Sequence, residues 1–243
     1  MTAAADLPAG PPFLQVVDVT AGYRGRAAIR GISIDVGQGE AVGIIGHNGA
    51  GKTTLLKTVF GIIPPSSGHI MFRDKVQPAD PLANIRDGLA LVPADRFVFA
   101  SLSVRDNLQI ARRNALNAAV ADESEQASRE LFPVVWERMG QLAGSLSGGE
   151  RRMLSIAMAL MWQPSLLLLD EPSVGLAPEL AERVFDALKF LTQSRGMSIL
   201  CVEQNLPHLL GIVDRVYIIR DGLLAGEETA ASLLERDDYW DLF

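Results

Sequence analysis

Three short segments of the chain contain residue types that handle phosphate groups. They are Gly46–Thr54 (GHNGAGKTT), Leu146–Glu150 (LSGGE) and Leu166–Pro172 (LLLLDEP), in that order. The first fits the spacing G-x-x-x-x-G-K-[ST], in which backbone N–H groups surround phosphate oxygens, a lysine contacts the terminal phosphates and a hydroxyl reaches Mg²⁺. Glycine suits this loop because a larger residue would hold the backbone away from the nucleotide. The three segments together predict a machine driven by ATP.

The elements around the first segment agree with this chemistry. Ala41–Ile45 is predicted to be a short buried strand and residues 52–60 a helix, which gives the required order of strand, loop and helix. An ordinary glycine-rich turn is the alternative, but it does not account for the other two segments. The expected nucleotide contacts are Gly46, His47, Asn48, Gly49, Ala50, Gly51, Lys52, Thr53 and Thr54.

Two adjacent carboxylates follow the run of four leucines. Asp170 closes an apolar strand and should emerge at the carboxyl edge of the sheet, where ligands bind in open α/β folds. We expect Asp170 and Thr53 to hold Mg²⁺, and Glu171 to face an attacking water, because neighbouring positions at a strand end point in different directions. The alternative is a charged strand end that simply turns into solvent.

The second segment has the pattern of a helix start. Ser147 and Glu150 are spaced as a capping box. Capping alone does not favour Gly148 and Gly149, because each glycine in a helix costs roughly 0.5 to 1 kcal/mol relative to alanine. Close approach of a phosphate to the helix N-terminus would explain both glycines.

The pattern of strands and helices predicts the fold class. Residues 13–19 and 29–36 alternate with period two, which is typical of antiparallel strands. Further on, a strand at 166–169, a helix at 179–193 and a strand at 198–202 alternate, which is typical of a parallel sheet covered on both faces. We therefore predict an α/β protein: a P-loop NTPase core with a mainly parallel central sheet and an N-terminal antiparallel β subdomain.

Composition and spacing also predict the domain organisation. Residues 1–12 are rich in Ala and Pro and are predicted to be a flexible lead-in. Residues 13–243 are predicted to form a single domain. Between residues 103 and 139 the chain becomes rich in Ala, Arg, Glu and Leu with helical spacing, so we expect a helical subdomain at about 97–146, inserted in the α/β core.

Composition narrows the function further. The net charge of −7 and a pI near 5.0 argue against a nucleic-acid partner. The single cysteine, Cys201, lies in an apolar run and is expected to be a core residue. No apolar run approaches the roughly 20 residues needed to cross a bilayer, and no secretory signal is visible, so a cytoplasmic location is expected.

Taken in order, the three segments resemble those of the ATP-binding subunits of ABC transporters. The resemblance extends from about Phe13 to about Gly226. It implies a dimer in which each ATP lies between the phosphate loop of one subunit and Ser147, Gly148 and Gly149 of the other. It also implies that Tyr23 stacks on adenine, although a surface tyrosine packed on a turn is the alternative.

Two stretches are similar to a narrower group of importers, those for branched-chain amino acids and related hydrophobic amino acids or amides. These stretches are Asp170–Pro178 and Val202–Asn205. This resemblance implies integral membrane permease subunits as partners, an extracytoplasmic solute-binding protein as an indirect partner, and a peripheral position on the inner face of the cell membrane. The ATPase partner would be a second copy or a related ATP-binding subunit.

The chain departs from the family pattern at several positions. Gln204 stands where many relatives have a histidine that contacts the γ-phosphate, and His208 is either a substitute for it or a surface residue. Ala94 stands where a glutamine or glutamate is usual, and Ala177 where an aspartate is frequent. We expect Gln204 to be a catalytic contact of reduced reach. We also expect the isolated subunit to have modest ATPase activity.

Two further functions are compatible with the sequence. One is a soluble, non-transport ABC ATPase, and the other is a weakly hydrolysing regulatory partner of a second ATPase subunit. Residues 96–100 (RFVFA) carry exposed-looking aromatic residues where relatives receive a helix of the membrane subunit. This segment is either the docking patch or a buried hydrophobic hinge.

Overall fold

The computed structural model describes residues 12–95, 98–113 and 118–236. Residues 1–11, which make up nearly all of the predicted lead-in, lie outside the described residues. So do Arg96 and Phe97. The described strands are β1 (Leu14–Tyr23), β2 (Arg26–Val36), β3 (Ala41–Ile45), β4 (Ser67–Phe72), β5 (Lys75–Val76), β6 (Leu89–Val92), β7 (Leu166–Asp170), β8 (Ser198–Val202), β9 (Arg215–Arg220) and β10 (Leu223–Thr229). The described helices are α1 (Lys52–Val59), α2 (Pro81–Arg86), α3 (Val104–Arg113), α4 (Ala118–Leu131), α5 (Pro133–Glu137), α6 (Gly148–Leu160), α7 (Pro178–Arg195), α8 (Leu206–Leu210) and α9 (Ala230–Leu234).

The strands form two sheets. The central sheet has six strands in the order β10-β9-β3-β8-β7-β6, and all of its pairs are parallel except that between β10 and β9. The second sheet is antiparallel, with the order β2-β1-β4-β5. The predicted fold class, a mainly parallel core with an N-terminal antiparallel sheet, is therefore confirmed.

The central sheet separates two hydrophobic cores, because successive side chains of a strand point to opposite faces. Leu167 and Leu169 of β7 face the core shared with α6 and α7. Leu166 and Leu168 face the other core, which lies against α1 and the antiparallel sheet. This double burial explains the run of four leucines, since a strand covered on both faces has no polar side. Cys201 packs in the first of these cores, as expected.

The structure contains a hairpin that the sequence analysis did not predict. The hairpin of β9 and β10 extends the central sheet on one side, and its two-residue turn is Asp221-Gly222. Helices α3, α4 and α5 lie in the part of the chain for which helices were predicted. The boundaries 97–146 of a helical subdomain and the single domain 13–243 stay predictions. Among the described residues, no helix is both long and apolar enough to cross a membrane.

Candidate nucleotide site

The phosphate loop connects β3 to α1 and is fixed by contacts within the chain. Gly46 has a φ of 152°, and a Cβ there would lie 2.1 Å from the carbonyl oxygen of Ile219. Gly51 caps α1 with a φ of 105°, and a Cβ there would lie 2.6 Å from a methyl group of Ile29. These two glycines are required by the packing of the loop itself, in addition to the close approach of a nucleotide that the sequence suggested.

Lys52 lies at the start of α1, with its ammonium held by the loop. Its Nζ donates to the carbonyl oxygens of Gly46 at 2.6 Å and His47 at 3.0 Å. Burial lowers the pKa of Lys52, whereas the negative charges of Glu171 and Asp170 act in the opposite direction. The loop therefore orients a buried ammonium close to Glu171, the predicted catalytic carboxylate, and Asp170, the predicted metal ligand.

Thr53 and Asp170 come together from α1 and the end of β7. The Thr53 hydroxyl donates to Oδ1 of Asp170 at 3.0 Å. Burial raises the pKa of Asp170, and this hydrogen bond acts in the opposite direction. Hydroxyl and carboxylate oxygens are hard ligands that suit Mg²⁺, which is usually held by one or two carboxylates together with substrate phosphates. The described chain contains no group of three or more His, Cys, Asp or Glu residues placed to hold a metal.

Glu171, Gln204 and Asn48 form a hydrogen-bonded chain across the site. Nε2 of Gln204 donates to Oε1 of Glu171 and, at 2.9 Å, to Oδ1 of Asn48. The backbone of Glu171 is left-handed, with a φ of 47°, and its N–H donates to the carbonyl oxygen of Val202 at 2.8 Å. The structure thus connects the phosphate loop with the two residues that the sequence assigned to hydrolysis.

The second segment forms the start of α6. Ser147 is the N-cap: its N–H donates to Glu150 Oε2 at 2.8 Å, and the Glu150 N–H donates to Ser147 Oγ at 3.3 Å. This is the predicted capping box. A Cβ on Gly149 would lie 2.5 Å from Cδ1 of Leu180, so a larger residue there would displace the Leu180 side chain of α7. A Cβ on Gly148 would meet no atom closer than 3.5 Å, and close approach of a phosphate stays a prediction for both glycines.

The other predicted nucleotide contacts, Tyr23 and residues 147–149, are not linked to the phosphate loop by described hydrogen bonds. Tyr23 ends β1 and is 50% exposed, so one face of its ring is open to a ligand. Within the described residues, no hydrogen bond joins Ser147, Gly148 or Gly149 to the phosphate loop. Within one chain, hydrogen bonds therefore connect the first segment to the third, but none of them connects the second segment to the phosphate loop.

The departures from the family pattern have visible structural settings. Ala94 is half-buried, and its carbonyl oxygen accepts a hydrogen bond from Arg152. Ala177 is the N-cap of α7 and makes no side-chain capping bond. His208 is half-buried, and its ring stacks on that of Phe185 with centroids 5.3 Å apart. This packing supports neither an exposed His208 nor a contact with the phosphate loop.

Two buried charged residues behind the site were missed by the sequence analysis. Glu203 is 1% exposed and accepts from the N–H groups of Gln204, Asn205 and Ser173 at 2.7, 3.1 and 3.1 Å. Arg152 is 2% exposed, and its guanidinium donates to the carbonyl oxygen of Glu171. A signal for Arg152 existed, because it falls on the buried stripe of α6 that also contains Met153 and Ile156. A charge at such a position needs a partner inside the protein.

Comparisons with known proteins agree with this geometry. The family model for ABC transporters matches residues 29–174, more than half of the chain. The high-affinity branched-chain amino acid transport ATP-binding protein BraG of Pseudomonas aeruginosa is 39% identical over 224 residues, which cover 89% of this chain and 93% of BraG. The probable branched-chain amino acid transport ATP-binding protein LivF of Archaeoglobus fulgidus is 35% identical, over 93% of this chain and 96% of LivF. The lipopolysaccharide export system ATP-binding protein LptB of Escherichia coli is 36% identical, over 88% and 89%.

Solved structures show the same fold. A nucleotide-free ATP-binding cassette from an ABC transporter matches with a TM-score of 0.83 at 24% identity, over 96% of this chain and 98% of that one. A dimeric cassette in a post-hydrolysis state, bound to ADP and phosphate, matches with a TM-score of 0.77 at 22% identity, over 89% and 98%. The family match, the relatives and the assembled phosphate loop lead to one conclusion: the chain belongs to the ABC transporter family as an ATP-binding subunit, an ATP-hydrolysing cassette.

Proposed function

We propose that this subunit powers an importer for branched-chain amino acids or related hydrophobic amino acids or amides. The observation that carries the proposal is the similarity to BraG and LivF over nearly the full length of both proteins. The stretches Asp170–Pro178 and Val202–Asn205, which follow the two central strands β7 and β8, support the same group.

A second candidate is export of a lipid-linked glycan, because LptB is similar at nearly the same identity. The sequence is also compatible with a soluble, non-transport ABC ATPase and with a weakly hydrolysing regulatory partner. Ala94 and Ala177, which lack the carboxylate or amide groups of relatives, favour the regulatory partner over the soluble ATPase.

The geometry supports a role for each site residue. Lys52 neutralises charge on the β- and γ-phosphates, and Glu171 polarises the attacking water. Gln204 holds Glu171 in place and contacts the γ-phosphate as a neutral donor. Tyr23 stacks on adenine with its exposed ring. Phosphoryl transfer depends mainly on positioning and electrostatics, so these contacts account for the chemistry.

Thr53 and Asp170 are the residues that would hold Mg²⁺. Their oxygens already face each other at hydrogen-bonding distance and are of the type that this ion prefers. When bound, Mg²⁺ supplies positive charge at the β- and γ-phosphate oxygens. Asp170 must be ionised for this role; burial raises its pKa, and the hydrogen bond from Thr53 and the positive charges of Lys57 and Lys52 act in the opposite direction.

The second half of each site comes from a partner ATP-binding subunit, either a second copy or a related chain. The N-terminus of α6, with Ser147, Gly148 and Gly149, offers N–H groups to a phosphate on that partner. Closure of the dimer on ATP supplies the positioning and drives the permease. The complex would be peripheral on the inner, cytoplasmic face of the membrane, with a solute-binding protein acting on the other side.

Docking on the permease involves the segment before α3. Phe99 is 51% exposed, which supports the predicted docking patch. Val98 packs against the core, which supports the predicted buried hinge. Phe97 lies outside the described residues. Phe99 is therefore the residue that we assign to the permease helix.

Reconstitution tests the proposal directly. The chain is expressed with its neighbouring membrane proteins, and the complex that co-purifies is placed in proteoliposomes with ATP on the side of the cassettes. We expect ATP-dependent accumulation of labelled leucine. Accumulation of urea or a short amide instead would change the assigned solute within the same group of importers. Extraction of a glycolipid would show that the complex is an exporter. Brisk ATP hydrolysis by the chain alone, with no membrane protein co-purifying, would favour the soluble ATPase.

A Lys52→Ala complex serves as the control for energy coupling. Loss of the buried ammonium should lower hydrolysis on the order of 10²–10³-fold, the cost of removing one preorganised electrostatic donor. Leucine accumulation should fall by the same factor. Uptake that persists in this complex would show that another subunit supplies the energy.

A further inference from the structure

Arg152 connects three parts of the molecule that lie far apart in the sequence. It projects from the second turn of α6, the helix whose first turn carries Ser147. Its guanidinium donates to the carbonyl oxygens of Pro93 at 2.7 Å, Ala94 at 3.0 Å and Glu171 at 3.3 Å. One side chain thus joins the start of α6, the segment that leads toward Phe99, and the main chain of the residue assigned to hydrolysis.

The contact with Glu171 falls on a peptide in an unusual conformation. A φ of 47° is rare for a residue with a side chain and costs of order 1 kcal/mol or more, so the surroundings must hold it. Its N–H donates to the carbonyl oxygen of Val202 at 2.8 Å, and its own carbonyl oxygen accepts from the Val174 N–H at 3.2 Å and from Arg152 at 3.3 Å. Loss of the Arg152 contact removes one of the two hydrogen bonds to this carbonyl oxygen and so loosens the backbone that sets the position of the carboxylate.

The contacts with Pro93 and Ala94 do not depend on the side chain at position 94. The methyl side chain of Ala94 can make no hydrogen bond, and Arg152 contacts the carbonyl oxygen of this residue instead. Because Arg152 binds main-chain oxygens, a displacement of residues 93 and 94 is still passed to Glu171. The buried guanidinium also balances the negative charges of Asp170 and Glu203 next to it.

We propose that Arg152 is a positioning residue that sets the geometry of Glu171 and transmits movement of the Pro93–Ala94 segment to it. Arg152 does not touch the reacting groups itself, and it acts through the backbone. This proposal rests on the role of Glu171 given under the proposed function. It predicts that Arg152 controls the rate of hydrolysis and leaves nucleotide affinity nearly unchanged.

Kinetics of the full chain test the proposal through the variants Arg152→Lys and Arg152→Met. Single-turnover hydrolysis of ATP labelled at the γ-phosphate, with protein in excess, measures even slow rates, and nucleotide titration gives Kd. We expect hydrolysis to fall about tenfold or more in Arg152→Met and less in Arg152→Lys, which keeps the charge, with Kd within about twofold of the parent.

Arg215→Lys is the matched control. Arg215 is also a buried arginine, but its partners lie outside the nucleotide site. Both lysine variants should lower the unfolding temperature, and only Arg152→Lys should slow hydrolysis by the folded protein. Equal slowing in the two variants, or rates within twofold of the parent for both Arg152 variants, would overturn the proposal.

A Glu171→Gln protein in the same assay separates this proposal from the proposed function. If Glu171→Gln hydrolyses ATP at the parental rate, the role of Glu171 is wrong. If Glu171→Gln is inactive and the Arg152 variants are unaffected, only the role of Arg152 is wrong.

Amide hydrogen exchange gives a structural readout. In Arg152→Lys we expect faster exchange after Glu171, at Val174, because the Val174 N–H donates to the same Glu171 carbonyl oxygen that the guanidinium contacts. In Arg215→Lys exchange at Val174 should not change. Unchanged exchange at Val174 in Arg152→Lys would contradict the proposed hold on the Glu171 backbone.

Discussion

Two buried arginines use their charge in opposite ways. Arg215 of β9 is surrounded by carboxylates: it contacts Glu40 at 2.7 Å, Asp35 at 2.8 Å and Glu227 at 2.8 Å. Burial disfavours its charge, but the hydrogen bonds that it donates to Glu40 and Glu227 outweigh burial and raise the pKa of Arg215. Arg152 donates to main-chain oxygens in each of its contacts described above, and burial lowers its pKa.

The difference shows how the chain separates stability from chemistry. Around Arg215 the positive and negative groups are bound to each other, and they join β2, β9 and β10 of the two sheets. In the second region the carboxylates of Asp170 and Glu171 accept hydrogen bonds from Thr53 and Gln204. A ligand can replace these two contacts. Charge in the first region is used to hold the fold, and charge in the second is kept for the nucleotide.

The largest expected effect is the loss of hydrolysis in Glu171→Gln. Removal of a general base lowers a rate by about 10²–10⁴-fold. The amide oxygen of glutamine can still accept from Gln204, so the unfolding temperature should stay close to that of the parent. We expect an ATP-bound dimer to accumulate, visible by size-exclusion chromatography. Turnover within tenfold of the parent, or a chain that stays monomeric with ATP, would contradict the assignment.

Arg215→Met should affect stability and leave chemistry unchanged. Without the guanidinium, Glu40 is left as a buried unpaired charge, and breaking such a pair costs about 3–5 kcal/mol. Denaturant unfolding measures this change. Arg129→Met, which removes an exposed ion pair with Glu125, should cause a much smaller change. Slower hydrolysis by folded Arg215→Met would remove the distinction between the two regions.

Tyr217 makes the stability of the Arg215 region depend on pH. Burial raises the pKa of Tyr217 to about 12, above its ordinary value of 10.0. Below pH 10.0 the hydroxyl is protonated in both the folded and the unfolded chain, so its contribution is fully present. As pH rises through 12, that contribution is lost, because the unfolded chain releases the proton first.

The loss amounts to at most about 3 kcal/mol, two units of pKa. It is measured as the difference in unfolding free energy between the parent and Tyr217→Phe, followed from neutral pH to pH 12. The difference should shift in favour of Tyr217→Phe above pH 10.0. A constant difference over this range would contradict the raised pKa.

Glu203→Gln is expected to give the smallest effect and to sharpen the comparison within the nucleotide site. Glutamine keeps one oxygen, which can serve Gln204 and Asn205, but its NH₂ group then faces the Ser173 N–H. Loss of one hydrogen bond to a charged group should lower the unfolding free energy by about 1.5–3 kcal/mol. Hydrolysis should fall more than nucleotide affinity. A proportional loss of both would show that Glu203 supports binding rather than geometry.

Much of the fold was predictable because local pattern and tertiary environment agree. The strands β3 and β8 occur at the predicted residues, and α1 and β7 differ from prediction by one residue at one end. The hairpin of β9 and β10 was missed although its turn gave a signal. Asp221 and Gly222 have φ values of 51° and 79°, as a two-residue hairpin turn requires, and an Asp-Gly pair between two apolar runs favours that turn.

The phosphate loop, the order of the three segments and the double burial of the central strand could be predicted from the sequence, because each depends on residues adjacent in the chain. Their surroundings depend on how distant elements pack together. The tertiary structure placed Arg152 against the carbonyl oxygens of residues 93, 94 and 171, Glu203 against Ser173, and Leu180 against Gly149. The first and the second of these join segments as far as 59 and 30 residues apart. No local pattern encodes them, because a buried charge takes the partners that the packed elements bring to it.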